Sequence, residues 1–456
     1  MAQEKAATVH SVVIDLNYRY PGGLKAAADR VRGYAEHRRS TKTAAVEAVS
    51  PLVSQYVFAW LTAASIRRIV RLDRANPPSA IYRIWPDFEI GPLINKSAQT
   101  VKAAAARTSF AATGAGIVWA VVDSGVDRTH DHFQTHHTLD VAEPLAHKDF
   151  TDLTGNGVGD ADSYGHGTHV AGVIAGEMKS ATAVCSERDE NGDVRYRTQH
   201  VTDMAGMAPM CRLVSFKVLD DRGRGMHSAI IAALQHIDEV NNNGRDLKIH
   251  GANLSVGYPF DPEWFACGES PLCVEVSRLV RSGVVVVVAA GNTGFGFNQV
   301  ASSGGQSMAA GLDLTINDPG NAESAITVGS THRYMPHRYG VSYFSSKGPT
   351  GDGRAKPDVV APGERILSCA AGATRDKILD KPDVSAPIHY VEDSGTSMAA
   401  AHVSGAIAAF LSIRPEFIGH PDEVKRIFTT TATDLGRVPS FQGRGLIDVM
   451  RAIQSV

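Results

Sequence analysis

From Gly114 onward, short apolar runs alternate with longer stretches in which apolar residues recur every three to four positions. The runs are residues 117–122, 213–218, 249–254 and 284–290, all rich in Val, Ile and Ala. Short, mostly apolar runs with β-branched enrichment predict strands buried on both faces. Residues 228–241, 274–281 and 398–413 carry the 3.6-residue spacing of helices. Alternation of such strands and helices predicts an α/β domain: a mostly parallel, doubly wound sheet. Residues 177–203 interrupt this pattern with polar sequence around Asn191-Gly192, which predicts a surface hairpin.

The N-terminal part has a different rhythm. Val9, Val12, Val13 and Ile14 predict a strand, residues 24–37 a helix, and 53–61 a second strand. Residues 63–72 form a helix with a basic face (Arg67, Arg68, Arg71), and 80–85 a last strand. Two helices on a small sheet make a split βαβ unit, a ferredoxin-like α+β domain. Residues 91–110 are polar and rich in Ala and Lys, the composition of a boundary. The expected organisation is a small domain over 1–93, a linker and short helix over 94–110, and a large domain over 111–456.

Composition narrows the function classes. A formal charge of −3 over 456 residues supplies no electrostatic reason to expect nucleic acid or a membrane surface as partner. The apolar run 283–291 is too short to span a bilayer. The stretch 9–16 is broken by His10, Ser11 and Asp15 and reads as a strand rather than a signal peptide, so a cytosolic protein is expected, with export by another route left open. Cys185, Cys211, Cys267, Cys273 and Cys369 lack zinc-ligand spacing and are expected as reduced thiols. Cys267 and Cys273 are near enough in sequence to bridge a loop in an oxidising environment.

Three dense segments carry candidate chemistry. Ala120-Val121-Val122-Asp123-Ser124-Gly125 ends an apolar strand on a carboxylate followed by a glycine turn. Strand carboxyl ends are where open α/β sheets bind ligands. Tyr164-Gly165-His166-Gly167-Thr168-His169 sets a histidine between glycines at the start of a small-residue helix. His166 and His169 share a helix face, but no third metal ligand follows at useful spacing. Gly395-Thr396-Ser397-Met398-Ala399 places a serine at the start of a long apolar helix, where free N–H groups favour developing negative charge. A serine hydroxyl needs a base to become a nucleophile, and that base needs an orienting group. Each segment alone has an ordinary structural explanation; the three together, in the order Asp, His, Ser, do not.

These motifs resemble the subtilisin-like serine proteases, the subtilases, over roughly residues 110–450. The resemblance implies a serine endopeptidase in which Ser397 attacks the peptide carbonyl, His166 is the general base and Asp123 orients it. It assigns Asn292, in Ala289-Ala290-Gly291-Asn292, to the oxyanion hole. It implies two edges that grip an extended polypeptide substrate, Gly223-Arg224-Gly225 and Ser255-Val256-Gly257, with Ala289, Ala290 and Gly291 on one wall of the S1 pocket. Uncharged Thr293 supports no charge-based S1 preference. Residues 206–209, 345–349 and 356–363 resemble structural signature loops of the family. No cofactor is required for the chemistry. A structural calcium ion is an open question: residues 128–133 do not match the expected ligand, while Asp152, Asp160 and Asp162 lie in a Gly/Asn-rich loop open to either cation binding or simple solvation. Ala401 stands where many subtilases have proline. Residues 9–90 loosely resemble the subtilase propeptide, implying an intramolecular inhibitor and self-cleavage between about residues 90 and 110, and the arrangement is similar to intracellular subtilisins. An α/β-hydrolase esterase would need a Gly-x-Ser-x-Gly elbow and the order Ser, Asp, His, neither of which is present. A silent peptide-binding scaffold would be expected to have lost one of the three residues.

Overall fold

The computed structural model describes residues 9–36, 55–86, 96–188, 194–261, 263, 266–299 and 307–456. The chain divides into two compact units, residues 1–93 and 94–456.

In the smaller unit the elements run β1 (Val9–Leu16), α1 (Gly23–Glu36), β2 (Tyr56–Thr62), α2 (Ala63–Ala75) and β3 (Ile81–Pro86). β1 lies between β2 and β3 and is antiparallel to both. The β2–α2–β3 crossover is therefore split around β1, as the two-helix pattern predicted. Alternate residues Val12, Ile14 and Leu16 of β1 and Val57, Ala59 and Leu61 of β2 bury one sheet face under Ala27, Val31 and Ile69 of the helices. Thr62 caps α2, its hydroxyl accepting from Ser65 N at 3.2 Å. Arg67 and Arg71 point to solvent, whereas Arg68 is half-buried and donates to the Tyr34 carbonyl at 2.7 Å. Residue 37 of the expected helix and residues 53 and 54 of the expected strand lie outside the described residues.

The larger unit begins with α3 (Lys96–Thr100) and α4 (Ala103–Phe110). A linker with one short helix was expected over 94–110; within its described part there are two helices, and they are packed. Ala98, Val101, Ala103 and Ala106 are buried in the main core. Thr100 Oγ1 donates to the Arg333 carbonyl at 2.7 Å, Val449 N to the Val101 carbonyl at 3.0 Å, and Lys102 pairs with buried Asp448. The alanines that looked like linker composition are small side chains allowing close helix packing.

The remaining strands are β4 (Val118–Asp123), β5 (Lys148–Asp149), β6 (Glu177–Arg188), β7 (Val194–Ala205), β8 (Arg212–Lys217), β9 (Gly251–Leu254), β10 (Val285–Ala289), β11 (Phe295–Gln299), β12 (Ser307–Gly311), β13 (Ile326–His332), β14 (Val359–Glu364), β15 (Ile366–Cys369) and β16 (Tyr390–Asp393). The helices among them are α5 (His166–Ile174), α6 (His227–Val240), α7 (Pro271–Arg281), α8 (Pro336–Tyr339), α9 (Gly372–Leu379), α10 (Thr396–Leu411), α11 (Pro421–Thr430), α12 (Pro439–Gln442) and α13 (Val449–Gln454). Seven strands form one sheet in the order β14-β13-β10-β9-β4-β8-β5, and every neighbouring pair is parallel.

The period-two rule sorts the apolar runs between two cores. Trp119 and Val121 of β4 and Val285 and Val287 of β10 face one side, with α5, α10, α11 and α13. Ala120, Val122, Val286 and Val288 face the other, with α6 and α7. Burying a Val side chain stabilises by about 1.5–3 kcal/mol, so a one-residue slip of any strand would be resisted from both faces. β6 and β7 pair in antiparallel register from Glu177 opposite Ala205 to Arg188 opposite Val194, the hairpin expected over 177–203; its turn, Asn191-Gly192, lies outside the described residues. No helix among the described residues is long and apolar enough to cross a membrane.

Candidate active site

β4 has β8 on one side and β9 on the other, so the chain leaves it in both directions and opens a crevice at its carboxyl end. Asp123 is the last residue of β4 and is 1 % exposed. Its Oδ1 accepts from Ser124 N at 2.8 Å and lies 2.7 Å from His166 Nδ1. A carboxylate can only accept, so the proton of that bond sits on Nδ1 and Nε2 is left free to take another. Asp123 Oδ2 is buried and makes no hydrogen bond among the described residues.

His166 opens α5 between two glycines that the packing requires. A Cβ on Gly165 would lie 2.1 Å from the Ala371 carbonyl oxygen, and one on Gly167 2.1 Å from that of Gly125. Gly165 also has φ of +101°, which L side chains rarely adopt. The bare backbone lets the helix start approach the Asp123 turn. Burial alone would lower the His166 pKa; the charge and hydrogen bond of Asp123, helped by Asp393 and Asp162, outweigh it and raise the value to about 9.

Ser397 is the second residue of α10 and is 7 % exposed. Its hydroxyl donates to the Ser255 carbonyl at 3.2 Å, and among the described residues it makes no hydrogen bond to His166. Hydrogen bonds of this kind are often loose in free enzymes and tighten with substrate. Beneath it, Ser255 Oγ donates to the Ser397 carbonyl at 3.0 Å and accepts from Asn253 Nδ2 at 2.8 Å, while Ser404 Oγ donates to Asn253 Oδ1 at 2.8 Å. α10 runs unbroken through Ala401, so the alanine at that position keeps the helix intact.

Asn292 follows the end of β10. Its Oδ1 accepts from Thr396 N at 2.9 Å and Thr396 Oγ1 at 3.0 Å, and Thr396 Oγ1 accepts from Gly291 N at 3.1 Å. With the oxygen engaged by two donors, the amide is oriented, and among the described residues Nδ2 makes no hydrogen bond. A Cβ on Gly395 would lie 3.4 Å from Asn292 Nδ2 and 3.7 Å from Ser397 N. The missing side chain leaves the space between those two N–H donors open.

One cleft of about 360 Å³ is lined by His166, Asn292 and Ser397 together. Gly223, Ser255, Val256, Gly257, Ala289 and Gly291 also line it. Ala290 is fully buried, its N–H donating to the Val328 carbonyl at 2.9 Å, and is not among the lining residues. Arg224 is exposed and bound to Asp220 at 3.1 Å, and Gly225 pairs with Leu219 as an antiparallel bridge; these two flank the cleft residue Gly223. Sequence reasoning missed Tyr164 and Asn317. Tyr164 packs on Gly223, where a Cβ would fall 2.5 Å from its ring. Asn317 Oδ1 accepts from Thr293 Oγ1 at 3.1 Å. Among the described residues the cleft lining contains no Asp, Glu, Lys or Arg.

A model of the subtilase family matches residues 114–445. The chain belongs to the subtilase family. Serine protease AprX of Bacillus subtilis is 28 % identical over 386 residues, covering 82 % of this chain and 75 % of that protein. Subtilisin DY of Bacillus licheniformis is 30 % identical over 321 residues, 69 % of this chain and 89 % of its own. Subtilisin E of Bacillus subtilis is 31 % identical over 342 residues, 75 % and 67 % respectively. This subtilase is a serine-type endopeptidase with a subtilisin-like α/β fold and a small N-terminal β/α region.

Among the described residues no group of three or more His, Cys, Asp and Glu is arranged to hold a metal ion. Of the three loop aspartates, Asp152 is exposed and caps Thr154, while Asp162 is buried and hydrogen-bonded. His169 is buried with Nε2 3.2 Å from the Val391 carbonyl oxygen, and burial lowers its pKa. All five cysteines are free thiols; Cys273 is buried and Cys267 half-buried, with no bridge between them.

Proposed function

We propose that this subtilase hydrolyses peptide bonds through Asp123, His166 and Ser397. His166 Nε2 takes the Ser397 proton as the hydroxyl attacks the substrate carbonyl. Asp123 keeps the Nδ1–H tautomer and stabilises the imidazolium. The imidazolium then returns its proton to the leaving amine, and the acyl-enzyme is hydrolysed by water in the reverse sense. Asn292 Nδ2 and Ser397 N stabilise the oxyanion. These groups supply base, nucleophile and oxyanion donors, so the chemistry calls for no cofactor. The observation that carries the reading is the 2.7 Å His166–Asp123 contact opening onto the cleft that Ser397 and Asn292 also line. With no Asp, Glu, Lys or Arg among the described lining residues, the cleft gives no support to a charge-based S1 preference for its extended polypeptide substrates.

The smaller unit is proposed to serve as a propeptide: an intramolecular inhibitor released by self-cleavage between about residues 90 and 110. The packing of α3 and α4 supports a cut before Lys96, because a later one would require unfolding helices docked in the core. Substitution of Ser397 by Ala tests both parts. Casein hydrolysis should fall by at least about 10⁵-fold, a scale carried over from subtilisin, and the uncleaved precursor should accumulate. Turnover within tenfold of the parent would exclude Ser397 as nucleophile. Active enzyme whose N-terminal sequence begins at Ala2 would exclude the self-cleavage.

A further inference from the structure

Asp162 lies between the strand end that carries Asp123 and the helix start that carries His166. It is 7 % exposed. Oδ1 accepts from Ser124 Oγ at 2.9 Å and Gly165 N at 2.8 Å; Oδ2 accepts from Thr168 N at 2.9 Å and Thr168 Oγ1 at 2.7 Å. The two hydroxyls are themselves committed. Ser124 Oγ accepts from Gly167 N at 2.9 Å, and Thr168 Oγ1 from Asp127 N at 2.9 Å. A hydroxyl has one proton to give, and with a backbone N–H directed at each oxygen, that proton goes to Asp162. Four donors thus converge on the carboxyl group, and among the described residues no acceptor is hydrogen-bonded to it. Only the ionised carboxylate accepts all four. An acid proton or an amide NH₂ would meet a donor head-on.

The partners are distributed in a telling way. Ser124 and Asp127 belong to the turn after Asp123; Gly165, Gly167 and Thr168 surround His166. We infer that Asp162 is a positioning residue for the catalytic base: its carboxylate locks residues 165–168 onto residues 124–127 and sets a second negative charge near the Asp123–His166 pair. This rests on the role proposed for His166. The charged and titratable groups that bear on His166 are Asp123 from β4, Asp162 from the loop before α5, Asp393 from β16 and His169 one turn along α5. Lys217 of β8 lies next to them, but its Nζ is held by the Ser124 carbonyl at 3.2 Å and Asp221 at 2.9 Å. Tyr164 shares the cleft. Burial lifts the Asp162 pKa against its hydrogen bonds, so its charge is maintained by those four donors and weakens if one is lost.

The test is Asp162→Asn in two settings. In a Ser397→Ala background, which prevents autolysis, NMR titration of the His166 imidazole should give a pKa lower by about half a unit or more. In the otherwise unaltered enzyme, the acid limb of kcat/KM should move to lower pH by the same amount. Plateau kcat, corrected for active sites, should fall about 10- to 100-fold with KM within twofold. A folded Asp162→Asn protein with an unchanged His166 titration and kcat within twofold would overturn the inference. Should that variant not fold, Thr168→Val removes one donor and leaves the carboxyl group itself in place. It should lower kcat at least about fivefold, Thr168→Ser should restore it, and an unchanged kcat in Thr168→Val would overturn the inference instead. His166→Ala separates the two layers: if it retains turnover, the triad reading fails. If it is inactive while Asp162→Asn is unaltered, only the positioning role fails.

Discussion

The two helices that carry the proposed base and nucleophile are held by different physics. α5 brings His166 into a setting of carboxylates, Asp123, Asp162 and Asp393. α10 brings Ser397 over a neutral network: Thr396 on Asn292, Ser255 on the Ser397 carbonyl, and Asn253 between Ser255 and Ser404. A histidine on each helix registers the contrast. His166, despite burial, is raised to about 9 by its anionic neighbours. His402 is lowered to about 4 by burial, with only the Met398 carbonyl oxygen 2.8 Å from its Nδ1. In the proposed mechanism His166 becomes a cation, so anions near it help. The nucleophile end must accommodate an oxyanion, and there a carboxylate would oppose the chemistry.

The sharpest way to break this contrast is to neutralise the anion at the His166 end. Asp123→Asn leaves the shape but offers an amide that can favour the wrong imidazole tautomer. kcat should fall about 10⁴-fold, the scale known for serine-protease triads. A loss below about 100-fold, in active-site-titrated peptide assays, would mean His166 does not depend on that charge. At the opposite end, Asn292→Ala removes a neutral donor. kcat should fall about 10²- to 10³-fold, the range carried over from subtilisin, with KM little changed. A change confined to KM would place Asn292 in ground-state binding instead.

The next effect is pH-dependent. The proposed mechanism needs neutral His166, so kcat/KM should climb tens of fold between pH 7 and 9 and level off above its pKa of about 9. A profile already flat at pH 7 would show that the carboxylates do not raise it. The smallest effect concerns stability, best followed by melting in a Ser397→Ala background. A folded-state pKa raised above the unfolded value gives a stabilisation fully present below about pH 6.5 and lost as pH rises through about 9. The buried neutral His402 gives the reverse: stabilisation present above about pH 6.5 and lost as pH falls toward about 4. Replacing His166 by Ala should flatten the alkaline decline, and His402→Gln the acid one, each by a few °C, roughly what 1 kcal/mol produces in a domain this size. Identical melting profiles for both variants would erase the contrast.

Much of this was legible in the chain because the relevant signals are local. Asp123 ends an apolar run, His166 sits between glycines, and Ser397 begins a helix; each motif brings its own backbone geometry. Four of the seven strands of the central sheet, β4, β8, β9 and β10, were legible as short apolar runs; β5 and β13 were not read, and β14 forms where residues 356–363 were expected as a signature loop. Asp162 was not legible as a clamp. In a Gly/Asn-rich loop it looks like any solvated or cation-binding carboxylate, and its burial arises only when Ser124 and Thr168 meet it from other segments. α3 and α4 read as linker because alanine and lysine suit solvent-exposed chain as well as tightly packed helices. Ala290 fell on the expected S1 wall, yet the pleat turns it into the core while Ala289 and Gly291 line the cleft.

The central claim, that the Asp123–His166 pair activates Ser397, is tested most directly by fluorophosphonate labelling followed by peptide mapping. The wild-type enzyme should take one adduct per molecule, on Ser397, at a rate that rises with pH as His166 loses its proton, and His166→Ala should label at least about 10³-fold more slowly. An adduct on another residue, or equal labelling rates with and without His166, would contradict it.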